Sequence, residues 1–108
     1  MKDNITLEIE EIDRMIHEPA RLRIMIYLSL IQEADFTNLL YNTKLSRGNL
    51  SAQLQKLEAV GYIDINKKFI KRIPRTLVSI TDAGVKALRK YKENLNRILS
   101  SDNQESSE

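Results

Sequence analysis

Residues 45–61, LSRGNLSAQLQKLEAVG, bring together side chains that could recognise a partner through hydrogen bonds. The candidates for such contacts are Arg47, Gly48, Asn49, Ser51, Ala52 and Gln55. Amides can form paired hydrogen bonds, a guanidinium can donate to two acceptors at once, and small residues allow close approach. None of these residues is acidic, whereas a solvated helix face normally mixes Glu with Lys. This composition indicates a face that enters a groove.

A helix over residues 46–60 would place these groups on one side. Leu50, Leu54 and Leu57 recur at helical spacing and form an apolar stripe. At about 100° per residue, the candidate contact face lies opposite that stripe. Ser46 is a good N-cap, and Gly61 can adopt the left-handed conformation that ends a helix. We therefore predict a helix that buries its leucines and leaves its opposite side to a partner.

Basic residues are concentrated in the middle of the chain, although the formal net charge is only +2. Residues 1–43 carry 4 basic and 8 acidic residues, residues 44–92 carry 12 and 3, and residues 93–108 carry 1 and 4. A block of one sign is typical of a surface that binds a polyanion. The candidates for phosphate contacts are Lys44, Ser46, Lys56, Lys67, Lys68, Lys71, Arg72 and Arg75.

The segment before residue 46 predicts further helices. Isoleucines at helical spacing indicate a first amphipathic helix that ends at His17-Glu18-Pro19. Residues 20–32 are apolar on nearly all sides, so they predict a core helix opened by Pro19 and covered from two directions. A short extended link at residues 34–36 and a brief helix capped by Thr37 then lead into the 46–60 helix.

The segment after Gly61 predicts a hairpin and a long final helix. Residues 62–68 and 76–80 are β-prone and flank a loop longer than a tight turn, with Phe69 folded back against the strands. Thr81 caps the last helix, whose distal half packs on the first helix or on another copy of itself. The candidates for a dimer interface are Ile5, Ile9, Ile12, Ile16, Leu88, Tyr91, Leu95, Ile98 and Leu99. We predict one domain over residues 1–99 and a disordered polar tail over residues 100–108.

Several classes of function have no support in the sequence. The chain has no cysteine and a single histidine, His17, so we expect no metal site and no cofactor. It also lacks a Ser/His/Asp set and a phosphate-cradling glycine loop, so we expect no enzyme. No apolar run is long enough to span a membrane and no signal peptide opens the chain, so we expect a cytoplasmic protein.

Several separated motifs agree in order and spacing with a known family. They are Pro19-Ala20-Arg21-Leu22-Arg23-Ile24, the run from Leu45 to Ser51, Leu54, Leu57, Glu58, Gly61-Tyr62-Ile63, Phe69, Pro74-Arg75-Thr76-Leu77, Ile80-Thr81 and Gly84. Over residues 17–95 the chain resembles the winged-helix transcription regulators of the MarR/ArsR-like group, particularly the small single-domain bacterial and archaeal kind. The resemblance implies an α+β, mostly helical fold in the order helix, helix, short strand, helix, recognition helix, hairpin wing, long C-terminal helix.

The resemblance also implies a homodimer on double-stranded DNA of pseudo-palindromic sequence. The recognition helix, residues 46–60, would lie in the major groove, with the wing, residues 67–75, along the backbone or in the minor groove. Some members respond to a small aromatic effector, and no residue here identifies one. Amides such as Asn49 and Gln55 could then pair with adenine, Arg47 with guanine, and Ala52 with a thymine methyl. The alternative is a protein-interaction module that docks on an acidic partner.

Overall fold

Four α-helices and a three-stranded antiparallel sheet make up the fold. The computed structural model describes residues 12–106, with side chains to residue 100. In chain order the elements are α1 (Pro19–Ile31), β1 (Glu33–Asp35), α2 (Phe36–Thr43), α3 (Arg47–Ala59), β2 (Ile63–Ile70), β3 (Ile73–Ile80) and α4 (Asp82–Ser106). This order confirms the predicted winged-helix arrangement from the core helix onward. Most of the predicted first helix, including Ile5 and Ile9, lies outside the described residues.

Residues 12–18 form turns, so the predicted helix does not continue to His17. The carboxylate of Asp13 accepts hydrogen bonds from the backbone N–H groups of Met15 at 2.8 Å and Ile16 at 3.1 Å. A side chain that bonds its own neighbouring backbone competes with the helical ladder, which accounts for the difference. Helix α1 then begins as predicted, with Pro19 in its first turn and Glu18 as its N-cap.

The hydrophobic core lies between α1, α3 and the sheet. Its fully buried side chains are Ile16, Ile24, Met25, Leu28, Leu39, Leu50, Leu57, Ile63 and Val78. Helix α1 contributes only one side to this core, because Ile26 is 46% exposed and Leu30 76% exposed. Within the described part of a single chain, the prediction that α1 is covered from two directions is therefore wrong.

Strand β1 is the third strand of the sheet, whose order is β1-β3-β2. It pairs antiparallel with β3, with Ala34 opposite Val78. The following helix is capped by Asp35, whose side chain accepts from the backbone N–H of Asn38 at 2.7 Å. The predicted cap, Thr37, instead lies inside α2. Asp and Thr are both good caps, so composition alone did not separate the two positions.

The hairpin of β2 and β3 is tighter than predicted. The two strands stay in register up to the pair Ile70 and Ile73, which leaves only Lys71 and Arg72 in the turn. Both turn residues have positive φ, 54° and 67°, as a type I′ turn requires. The sequence lacks the Asn-Gly signal typical of such turns, which explains the wrong prediction. Phe69 is 79% exposed, so it does not fold back against the strands.

Helix α4 starts where the sequence predicts and ends later. The hydroxyl of Thr81 accepts from the backbone N–H of Gly84 at 3.0 Å and caps the helix. The helix continues to Ser106, so the prediction of a disordered tail is wrong for residues 100–106. Extending a formed helix adds one hydrogen bond for each residue ordered, which polar residues can also supply.

Candidate nucleic-acid interface

Helix α3 has the boundaries that its end signals predict. The hydroxyl of Ser46 accepts from the backbone N–H of Asn49 at 3.1 Å. At the other end Gly61 has a φ of 79°, and its N–H donates to the carbonyl of Glu58 at 2.9 Å. The N–H of Tyr62 donates to the carbonyl of Leu57 at 3.0 Å, which completes a Schellman motif. The helix therefore has one defined start, one defined end and one orientation on the core.

The two sides of α3 differ as the leucine spacing predicts. Leu50, Leu54 and Leu57 are buried. All the candidate base-contact residues are exposed, namely Arg47, Gly48, Asn49, Ser51, Ala52 and Gln55. A methyl group added at Gly48 would meet no atom within 4 Å, so the backbone there is open to close approach. The structure thus brings the predicted contact residues together on one outward face.

Helix α3 and the wing border the same cleft. Its walls are formed by Phe36, Ser51, Leu54, Gln55, Glu58, Ile65, Lys67 and Thr76. Ser51 and Gln55 of α3 therefore lie on the same side of the molecule as Lys67 of β2. The guanidinium of Arg47 lies 5.9 Å from the centre of the Phe36 ring, a distance that permits a cation–π contact.

The candidate phosphate contacts are all exposed, and one of them has an acidic neighbour. The exposed cations of the wing are Lys67, Lys68, Lys71, Arg72 and Arg75. The guanidinium of Arg75 lies 3.8 Å from the carboxylate of Asp35 in β1. Sequence analysis missed this pair because the two residues are distant in the chain and meet only when β1 joins β3. Lys44, Ser46 and Lys56 are likewise exposed, around the turn into α3 and along it.

A hydrogen-bonded chain behind Asn49 was also missed. The side-chain N–H of Gln53 donates to Oδ1 of Asn49 at 2.8 Å, and Nη1 of Arg21 donates to Oε1 of Gln53 at 2.7 Å. Nε of Arg21 donates to the backbone carbonyl of Met15 at 2.6 Å. The spacing of Asn49 and Gln53 by four residues was a usable signal for the first bond. No local signal points to Arg21.

The segment before α1 is joined to the base of the wing and to α4. The phenol of Tyr62 donates to Oδ2 of Asp13 at 2.5 Å. Burial, and next the Asp13 carboxylate, raise the pKa of Tyr62 to about 12, because both disfavour the phenolate. The hydroxyl of Tyr91 lies 2.9 Å from Nδ1 of His17. These contacts give His17 a structural partner.

The candidate dimer residues fall into different environments. Ile16 is fully buried and Tyr91 is 5% exposed, so both belong to the core of their own chain and offer almost no surface to a second copy. Ile12, Leu88 and Leu95 are half-buried against that core, and Ile98 is also half-buried. Leu99 is 62% exposed. An open apolar groove between α1 and α4 is lined by Leu22, Ile26, Leu30, Leu88, Leu95 and Leu99, among others.

A helix-turn-helix of α2 and α3 followed by a β-hairpin beside the second helix defines the winged-helix class. Residues 20–99 match the winged helix DNA-binding domain family, and the chain belongs to that family. An uncharacterized protein of Methanocaldococcus jannaschii is 30% identical over 78 residues, which cover 72% of this chain and 85% of that protein. The expected recognition as a winged-helix regulator is thereby confirmed.

Solved structures agree with this assignment. A transcriptional regulator homologue from Pyrococcus horikoshii OT3 superposes with a TM-score of 0.82 at 30% identity, covering 91% of this chain and 96% of that one. A MarR-family regulator from Enterococcus faecalis V583 gives 0.71 at 14% identity, with coverages of 99% and 93%. The PcaV regulator of Streptomyces coelicolor, solved with its natural ligand, gives 0.70 at 16%, with coverages of 93% and 70%. The last two comparisons show a shared fold.

These relatives indicate a DNA-binding regulator and not an enzyme, as the sequence predicts. Within residues 12–106, no helix is long and apolar enough to cross a membrane. The same residues contain no group of three or more His, Asp or Glu side chains placed to hold a metal ion.

Proposed function

We propose that this protein is a transcriptional regulator that binds double-stranded DNA in a sequence-specific manner as a homodimer. Helix α3 lies in the major groove, and wing residues 67–75 lie along the backbone or in the minor groove. The observation that carries the proposal is the acid-free outer face of α3, which is exposed beside a cationic hairpin. A major groove about 12 Å wide admits such a helix.

The exposed residues divide into two roles. Arg47, Gly48, Asn49, Ser51, Ala52 and Gln55 read or approach base edges, because they project from the face opposite the buried leucines. Lys44, Ser46, Lys56 and the wing cations Lys67, Lys68, Lys71, Arg72 and Arg75 bind phosphates or the narrow groove. Arg72 stands at the tip of the turn. Arg75 exchanges its Asp35 partner for DNA at lower gain than Arg72, since it already has a counter-charge.

Homodimerisation is supported by the open apolar groove between α1 and α4. Its exposed leucines, Leu30 and Leu99, would be unusual on a monomer surface, since large apolar patches mark interaction sites. We propose that Leu88, Leu95, Ile98 and Leu99, with Ile5, Ile9 and Ile12 of the first segment, form this interface. Two copies related by a two-fold axis would then bind two half-sites of a palindrome. The protein acts in the cytoplasm, where a small-molecule effector can modulate it.

Salt-dependent binding tests the proposal directly. The intact protein is titrated into a labelled random-sequence duplex pool and followed by fluorescence anisotropy. If about six to ten phosphates are contacted per dimer, affinity falls by roughly 10³ to 10⁵ between 50 and 200 mM salt. Absence of duplex binding at 50 mM salt would contradict the proposal.

A second candidate is a protein-interaction module that docks on an acidic partner. The exposed apolar side chains of Phe69, Ile70 and Ile73 beside the cations of the wing favour it, because such mixtures also occur at protein interfaces. The double variant Arg72→Ala with Arg75→Ala separates the candidates when the intact protein is assayed. DNA regulation predicts weaker duplex binding, whereas the second candidate predicts unchanged duplex binding. Arg89→Ala with Lys90→Ala removes the same charge from α4 and serves as the control.

A further inference from the structure

We infer that Asn49 presents its amide N–H donors to DNA and therefore selects a base edge with acceptors, that of guanine or thymine, rather than adenine. A chain of side chains behind it, Arg21 and Gln53, sets this orientation. The inference rests on the proposed function, because it assigns the specificity of one residue within the proposed DNA-contact face.

The chain of donors has only one possible direction. The guanidinium of Arg21 has five donors and no acceptor, so the atom of Gln53 that lies 2.7 Å from it must be the carbonyl oxygen. The amide nitrogen of Gln53 then points to Asn49, at 2.8 Å, and must donate. The atom of Asn49 that receives this hydrogen bond is therefore its carbonyl oxygen, and its amide nitrogen is the group left to face outward.

Arg21 is itself held in place. Its Nε donates to the carbonyl of Met15 at 2.6 Å, while its backbone N–H donates to the N-cap carboxylate of Glu18 at 2.9 Å. The side chains of Arg21 and Gln53 are half-buried, whereas Asn49 is exposed. The positioning residues therefore lie behind the contact face, and only the last residue of the chain reaches a partner.

The orientation decides which base edge fits. Pairing with adenine requires the carbonyl oxygen of Asn to accept from N6 while its nitrogen donates to N7. The oxygen of Asn49 is already engaged by Gln53, so its nitrogen alone faces the groove. Guanine offers two acceptors, O6 and N7, and thymine offers O4. This result differs from the adenine pairing that residue type alone suggests for Asn49.

Selection of bound sequences from a random duplex library identifies the base read by Asn49. The wild-type chain and Asn49→Ala are compared, and the position that loses its preference in the variant is the position in question. We expect guanine or thymine there in the wild type, enriched about fivefold or more, which corresponds to about 1 kcal/mol.

Substitution of Gln53 then tests the positioning role. Gln53→Glu keeps an acceptor for Arg21 and can only accept from Asn49, so the Asn49 amide must turn over and present its oxygen. The preference at the same position should change to adenine or cytosine, whose N6 and N4 groups donate. Gln53→Leu removes the contact, so the preference should broaden. Ala59→Glu adds the same charge to α3 two turns beyond Gln53 and should leave the preference unchanged.

Three results would overturn the inference. Adenine at the Asn49 position in the wild type refutes the orientation, and an unchanged preference in Gln53→Glu refutes the positioning role. In both cases other selected positions still support DNA binding. A library from which the wild type selects no sequence overturns the proposed function and this inference together. The salt dependence of binding should be the same in the wild type and Gln53→Leu, since neither residue at this position contacts a phosphate.

Discussion

A single methyl group on α4 should measurably destabilise the protein. Gly84 lies in the first turn of α4, against the backbone where β2 begins. A Cβ atom added there would lie 2.9 Å from Cγ1 of Ile80 and 3.0 Å from the carbonyl carbon of Tyr62, and nearer still to the Tyr62 oxygen. Ordinary contacts of this kind span 3.4–4 Å. The same oxygen accepts from the N–H of Thr81 at 3.0 Å, so it cannot move without loss of a hydrogen bond.

The size of the effect follows from two opposing contributions. Overpacking typically costs about 1–3 kcal/mol, and the upper end applies because the obstacle is backbone. Alanine in a helix gains at most about 1 kcal/mol over glycine. We expect Gly84→Ala to lower the free energy of unfolding by about 2 kcal/mol. At about 4–8 °C per kcal/mol, Tm should fall by roughly 10 °C.

Gly48→Ala is the matched control. It makes the same substitution in a helix, at a position where the added methyl meets no atom within 4 Å. Its Tm should rise by a few degrees, because only the propensity gain of about 1 kcal/mol remains. Its DNA affinity should nevertheless fall, since Gly48 lies on the contact face. Thermal unfolding by circular dichroism at one fixed protein concentration measures both variants. Equal Tm shifts for the two variants would refute the close-packing explanation.

Three further predictions concern pH, assembly and the wing. Below pH 10 the raised pKa of Tyr62, about 12, contributes its full stability, which is lost between pH 10 and 12 as the folded chain also ionises; urea unfolding of Tyr62→Phe should lack that part of the loss, and an identical loss would contradict it. Leu30→Glu should weaken the proposed dimer by about 3 kcal/mol or more, because two leucines lose burial; light scattering should move from twice the 12.5 kDa chain mass toward the monomer, whereas Tyr41→Glu, on exposed α2 surface, should not. Phe69→Ala should change the free energy of unfolding by less than about 0.5 kcal/mol, whereas Leu57→Ala should cost about 2–5 kcal/mol, and a large loss in both would show that Phe69 is packed.

The outward face of α3 was predictable from a short stretch of sequence. Ser46 and Gly61 define the ends of the helix, and the leucine spacing defines its buried side, so exposure of Asn49 and Gln55 followed. Each of these signals acts between residues within one or two turns. The hairpin strands were also local, although their turn was not: Lys71 and Arg72 adopt positive φ without the residue types that favour it.

Contacts between distant residues were decided only by the tertiary structure. Arg21 meets Gln53, Asp35 meets Arg75, and Gly84 meets the carbonyl of Tyr62, each pair on different elements. A sequence shows that such groups are available to pair, but their meeting depends on how whole helices and strands pack. The α3 face as a set of exposed residues was therefore set by local pattern. The orientation of its Asn49 amide, and the one-sided burial of α1, were set by packing, because only packing brings a donor-only Arg21 behind Gln53 and leaves Leu30 without a neighbour in its own chain.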